Sequence, residues 1–187
     1  MSKDLSEMSL EELWQLFPIV LTKHNKQWKD WFLQESLLLK TALPNEARIS
    51  HIGSTYIPTI WAKPIIDILI ELPTEYNLND YKNTIISKGY ICMSEKENII
   101  SFNKGYTNHG FDKKVFHVHL KYKGDNDELY FRDYLIDHPA IAKDYENLKL
   151  ELWKKFEHNR DAYTEAKSKF VKKHTTEAKI LYKNKYE

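Results

Sequence analysis

Apolar residues follow two periods along this 187-residue chain. Between Ala47 and Tyr122 most of them alternate or run together for a few positions, which predicts strands. Before and after, they recur every three or four residues, which predicts helices buried on one face. Ser9-Leu10-Glu11-Glu12 is a capping box opening a short helix that Pro18 stops. Ile19–Leu21 predicts a short edge strand. Trp28, Trp31, Phe32, Leu38, Leu39 and Ala42 then share one face of a helix from about Lys26 to Ala42, with Glu35 alone interrupting it. Asn79-Asp80 suits the start of another helix, closed by Gly89. Tyr90–Met93 and Ile99–Asn103 predict a hairpin around Glu95–Asn98, Lys104–Lys114 a polar loop that contains His109 and could be a lid or simply a mobile loop, and Val115–Tyr122 a strand. From Asp127 the pattern is helical to a tail, KNKYE, expected to fray, with Asp161 as a candidate cap for the last helix. Strands followed by helices predict an α+β fold: a mixed sheet with flanking helices and a helical C-terminal third. Residues 1–25 form a helical extension in this reading, and 26–187 the domain proper.

The centre of the pattern is His51–Leu72. Ala47–Ile52 is a strand that breaks at Gly53-Ser54. Pro64–Leu72 is a second strand, with Ile66, Ile68 and Ile70 on one face and Ile65, Asp67, Leu69 and Glu71 on the other. A run so apolar suits a central strand covered on both sides, and Pro64 can stand only at its beginning.

This unit offers chemistry. Glycine lets a backbone approach a ligand closely. Ser54 and the amides that follow it can hold a phosphate, particularly where a helix begins. Asp67 on the neighbouring strand can hold a divalent cation beside it; the bland alternative is a tight turn and one hydrogen-bonded buried acid. His117 and His119 share the polar face of their strand. Two imidazoles at that spacing can bind one transition metal, with Asp67 or His51 completing the shell, or they can be plain hydrogen-bonded side chains. Lys63, held extended by Pro64, stands at the mouth of the Asp67 strand, where it suits a phosphate or carboxylate.

Composition narrows the classes. With 28 basic and 27 acidic residues the net charge is +1, so no global field draws the chain to nucleic acid or an anionic membrane. The single cysteine, Cys92, excludes an intramolecular disulfide and a cysteine-rich zinc site. No apolar run is long enough to span a bilayer, and the polar N-terminus is unlike a signal peptide, so a soluble cytoplasmic protein is expected.

The stretch HIGSTYIPTIWAKPIIDI resembles the signature of the GrpB family. So do His117-Val118-His119-Leu120, Phe131-Arg132-Asp133-Tyr134-Leu135, His138-Pro139, Tyr145 with Leu148-Lys149, and Arg160 to Ser168. The resemblance covers about Lys26 to Val171. It implies a nucleotidyltransferase-like fold, in which Gly53, Ser54 and Thr55 would grip the phosphates of a nucleotide. Asp67 would sit on the metal strand, and the implied cofactor is a divalent metal, Mg or Mn ahead of Zn. Arg132, Arg160 and Lys167 would face the site, Arg132 ranking with Lys63 ahead of the other two; the bland alternative for them is ordinary helix salt bridging. This chain departs from the superfamily's Asp-x-Asp/Glu at the second position, which is Leu69. Residues two apart on a strand lie about 6.6 Å apart and can share a metal. Glu71, about 13 Å along, cannot without a bulge. Three functions follow: metal-dependent nucleotidyl or phosphoryl transfer with Asp67 and Lys63 as catalytic candidates, a non-catalytic nucleotide- or anion-binding module, and a metal-dependent hydrolase built on His51, Asp67, His117 and His119.

Overall fold

Ile66, Ile68 and Ile70 form the middle of the core, and the reason is their strand's place in the sheet. The computed structural model describes residues 3–186. Five strands, β1 (Arg48–Ile52), β2 (Ile66–Leu72), β3 (Ile91–Lys96), β4 (Ile99–Thr107) and β5 (Gly110–Tyr122), form one sheet in the order β1-β2-β5-β4-β3. Only β2 and β5 run parallel; every other pair is antiparallel. The parallel register sets Asp67 beside His117 and Leu69 beside His119. Partners in register share a face, so the sheet has two distinct sides.

On one side the three isoleucines join Phe116, Val118, Leu120, Ile100 and Phe102 under Trp28 and Leu39 of helix α2 (Gln27–Lys40) and Ile85 of α3 (Lys82–Ile86). Each such buried side chain contributes about 1.5–3 kcal/mol. Glu35, the interruption on α2, is answered there: it accepts hydrogen bonds from Tyr90 (3.0 Å) and Lys104 (2.7 Å). On the other side lie helices α4 (Asp127–Asp137), α5 (Pro139–Phe156) and α6 (Arg160–Leu181). Leu69 is fully buried there against Ile52 and Leu129. Glu71, also fully buried, is paired by Arg48 (2.5 and 2.7 Å) and by Asn126 (3.0 Å). The connection after β1 packs Ile57 and Ile60 against Leu135, Ala142 and Tyr145, tying it to α4 and α5.

Several expectations change. Lys104–Lys114 is no loop: β4 continues to Thr107, β5 starts at Gly110, and Asn108-His109 is the turn, so His109 sits at a hairpin tip rather than in a lid. The alternation was hidden by a bulge between Lys104 and Tyr106. Gly105, at φ +89°, absorbs it, because a Cβ there would meet the Lys114 carbonyl oxygen at 2.3 Å. Beyond the bulge Tyr106 and Phe111 pack on Phe17. Ile19–Leu21 forms no strand; an isolated bridge joins Thr22 to Ala62. Phe17, Ile19 and Leu21 are nevertheless buried, which fastens α1 (Leu10–Leu16) to the domain. Asn159, not Asp161, caps α6, accepting from the Ala162 amide. Within the tail, whose last residue Glu187 lies outside the described residues, Tyr186 donates to Asp133 and accepts from Arg132, and Lys185 pairs with Asp133 at 2.7 Å. Among the described residues no helix is long and apolar enough to cross a membrane.

Candidate functional site

Gly53 and Asp67 are one unit. Gly53 adopts φ +73°, and a Cβ built on it would lie 2.5 Å from Asp67 Oδ2. The turn therefore needs glycine twice, for its dihedral and for the carboxylate against it. Asp67 Oδ1 lies 3.2 Å from His117 Nδ1. The other ring nitrogen of His117 accepts from Tyr106 Oη (2.8 Å) and Arg160 Nη2 (3.2 Å), while Arg160 Nη1 donates to Tyr106 Oη (2.8 Å). Two donors on Nε2 assign the proton to Nδ1, facing Asp67. Burial alone would raise the Asp67 carboxyl. The contact with His117 and the nearby His119 and Lys63 outweigh it and carry the carboxyl down to about 2. Burial holds His117 below its ordinary value, with Asp67 only partly offsetting that. At neutral pH the pair is thus a carboxylate and a neutral imidazole.

Next to Asp67 are cations. Ser54 opens a single 3₁₀ turn, Ser54–Tyr56, rather than a helix. Its hydroxyl instead accepts from Lys149 Nζ at 2.9 Å. Lys149 is 3% exposed and also donates to the Trp61 carbonyl. The neighbouring Glu146 accepts from the Trp61 amide at 2.7 Å, so α5 holds both the N–H and the carbonyl of Trp61. Burial and then Lys167 push Lys149 down to about 7. Lys167 of α6 falls to about 8, chiefly by burial. Lys63 falls to about 7 through burial and then its neighbours Arg160 and Lys167. Lys167 and Lys63 lie 4.3 and 5.5 Å from the centroid of the Tyr163 ring. Gly53, Ser54, Asp67, His119 and Lys167 line a cleft of about 790 Å³, whose walls also include Phe131, Tyr145 and Val171. Lys63 and Arg160 line a smaller neighbouring cavity.

Other expected site residues lie elsewhere. His51 is on the opposite face, stacked on Phe32, and its Nε2 is 2.9 Å from Thr55 Oγ1; burial lowers its imidazole to about 4. Thr55 is therefore turned to His51, and neither side chain joins Asp67. Arg132 lines the cleft, but it donates to the His51 carbonyl (2.9 Å), to Asp133 (2.8 Å) and to Tyr186 (3.1 Å). It braces the Gly53 turn. Lys149 carries part of the family resemblance in the sequence, with no role in the site attached to it. Its position was legible all the same: Ala142, Tyr145 and Lys149 fall on one helical face. Nothing in the local sequence pointed to Tyr106.

A resident divalent metal does not fit. Asp67 is the one carboxylate at the turn, Leu69 is core, Glu71 is spent on Arg48, and both nitrogens of His117 are engaged. His119 places Nδ1 3.4 Å from Ser101 Oγ. Among the described residues no three His, Cys, Asp or Glu side chains are grouped to hold an ion.

The family profile described as GrpB protein matches residues 18–177. The chain belongs to the GrpB family. It is 34% identical over 170 residues to the UPF0157 protein YqkA of Bacillus subtilis, a match covering 87% of this chain and 49% of YqkA. The chain thus spans about half the length of that relative. The crystal structure of the conserved protein GrpB from Enterococcus faecalis is 32% identical, with a TM-score of 0.75 over 87% of this chain and 99% of that one. The Cid1 poly(U) polymerase is similar in fold alone, with a TM-score of 0.52 at 10% identity over 84% of this chain and 51% of Cid1. The fold is α+β, as the sequence pattern predicts, and nucleotidyltransferase-like, as the family resemblance implies.

Proposed function

We propose that the cleft binds a nucleotide or another small phosphate-bearing ligand, with its phosphate at Ser54, Lys149 and Lys167. The carrying observation is the bond from buried Lys149 to the hydroxyl of Ser54, a residue that lines the cleft. A buried ammonium there is costly unless an anion compensates it. The cleft's volume and mixed lining suit a ligand of nucleotide size. The fold likeness supports the reading, since the Cid1 crystal structure holds Mg and 3′-dATP.

Calorimetric titration with ATP and CTP, with and without Mg, tests it. Lys149→Met is expected to weaken binding about tenfold to a hundredfold, the worth of a hydrogen bond to a charged group. Absence of binding by wild type in every condition, or equal affinity in Lys149→Met and Lys167→Met, refutes it.

A further inference from the structure

The arrangement has cations where the fold's implied metal would need carboxylates. Around the single Asp67 stand Lys63 in the connection before β2, Lys149 on α5, and Arg160 and Lys167 on α6. Among the described residues neither Lys63 nor Lys167 has a hydrogen-bond or ion-pair partner; each ammonium rests against the Tyr163 ring. Tyr163 is itself fully buried, and its hydroxyl is unpartnered. Asp67 offsets one positive charge, His117 facing it is neutral, and Leu69 brings none. The local balance is a surplus of positive charge with unused donors, next to a cleft.

Resting on the phosphate-ligand reading, we infer that this cluster takes the charge-neutralising place of a divalent metal, so that the site accepts a ligand with two or more linked phosphates in its metal-free form. A metal-bridged site would need Asp67 to attract the ion. Here one oxygen of the carboxylate is engaged by His117 at 3.2 Å, and among the described residues no second carboxylate stands beside it. Toward a phosphate chain Asp67 is only a repulsive neighbour. The cations alone supply the attraction, so it grows with the ligand's charge. Chelating that charge with Mg removes part of what the lysines recognise. Because Lys63, Lys149 and Lys167 lose protons near neutrality in the free protein, an arriving polyanion also draws protons onto them. Besides one another, the charged groups acting on them are Asp67 from β2, Glu146 from α5 and Arg160 from α6, and Lys63 in turn acts on His117 of β5.

The test titrates wild type with AMP, ADP, ATP and inorganic pyrophosphate in EDTA and again in excess Mg. The expected result is about tenfold tighter binding for each added phosphate in EDTA, no tightening by Mg, and net proton uptake at pH 7.5 in buffers of different ionisation enthalpy. Asp67→Asn is expected to bind ATP as tightly as wild type or more tightly, and Lys167→Met more weakly. Binding that requires Mg, that is lost in Asp67→Asn, or that is equal for AMP and ATP overturns the inference and leaves the phosphate-ligand reading standing. Absence of binding by every phosphate compound overturns both. Should Asp67→Asn fail to fold, the wild-type comparison between EDTA and Mg decides alone.

Discussion

Lys149→Met should change how stability depends on pH. The buried ammonium holds its proton only to about pH 7 in the folded chain, against an ordinary value of 10.5. Between those values the unfolded chain binds a proton that the folded chain does not, so stability rises with pH across the window. The slope approaches about 1.4 kcal/mol per pH unit for this one group, and the whole window is worth about 5 kcal/mol. Below pH 7 both states are protonated and the full cost of the buried charge is paid; above 10.5 it is gone. Methionine fills similar space and does not titrate. Its lost hydrogen bonds to Ser54 and Trp61 shift stability by an offset, but the slope is set by the proton. Urea unfolding at about pH 7.5, 8.5 and 9.5 gives both quantities if the transition is two-state. Lys63 and Lys167 titrate in both proteins and largely cancel in the difference. The wild-type line should climb more steeply than the variant's by about 1.4 kcal/mol per pH unit. Parallel lines would refute the reasoning, because Lys149 would then be losing its proton at its ordinary value.

Gly53→Ala should cost at least about 2 kcal/mol in urea unfolding, from the positive φ and the clash with Asp67 together; an unchanged midpoint would show that the turn and the carboxylate are not coupled. Leu69→Asp, which restores the acidic spacing, should cost at least about 3 kcal/mol because it buries a charge between Ile52 and Leu129. A well-folded variant that gains Mg affinity would show that this position is not committed to packing. Tyr186→Phe should lower stability by about 1 kcal/mol through loss of its hydroxyl bonds to Asp133 and Arg132, with ATP affinity in the same calorimeter unchanged.

The legible parts of the sequence were those where one local rule decides the outcome. Alternation placed Asp67, Leu69 and Glu71 on one face and the three isoleucines on the other, and the structure agrees. It could not say that Glu71 is claimed by Arg48, because a cross-strand pair depends on register between distant residues. His51 was grouped with Asp67 by nearness in sequence, yet strand parity turns it to the other side. A bulge concealed the ends of β4 and β5, since one inserted residue reverses the alternation. Lys149 stands in the family resemblance, but its place in the site depends on how α5 packs on the turn after β1, which no local pattern states. A lysine on a buried arc is evidence of a site because it is otherwise so costly.

The parallel pairing of β2 with β5 has a consequence in time. Asp67 and His117 meet only after the chain between them, with α3 and the β3–β4 hairpin, has been looped out and closed. Hairpins such as β4–β5 can zip from their turns, but this pairing must first meet the entropy of a long loop. The Asp67–His117 contact therefore belongs among the late events of folding. A partly folded chain, even one with its hairpin in place, would present the lysines without the turn they surround. Ligand binding in a refolding experiment should accordingly lag behind the appearance of secondary structure, and the two signals rising together would place the β2–β5 closure early instead.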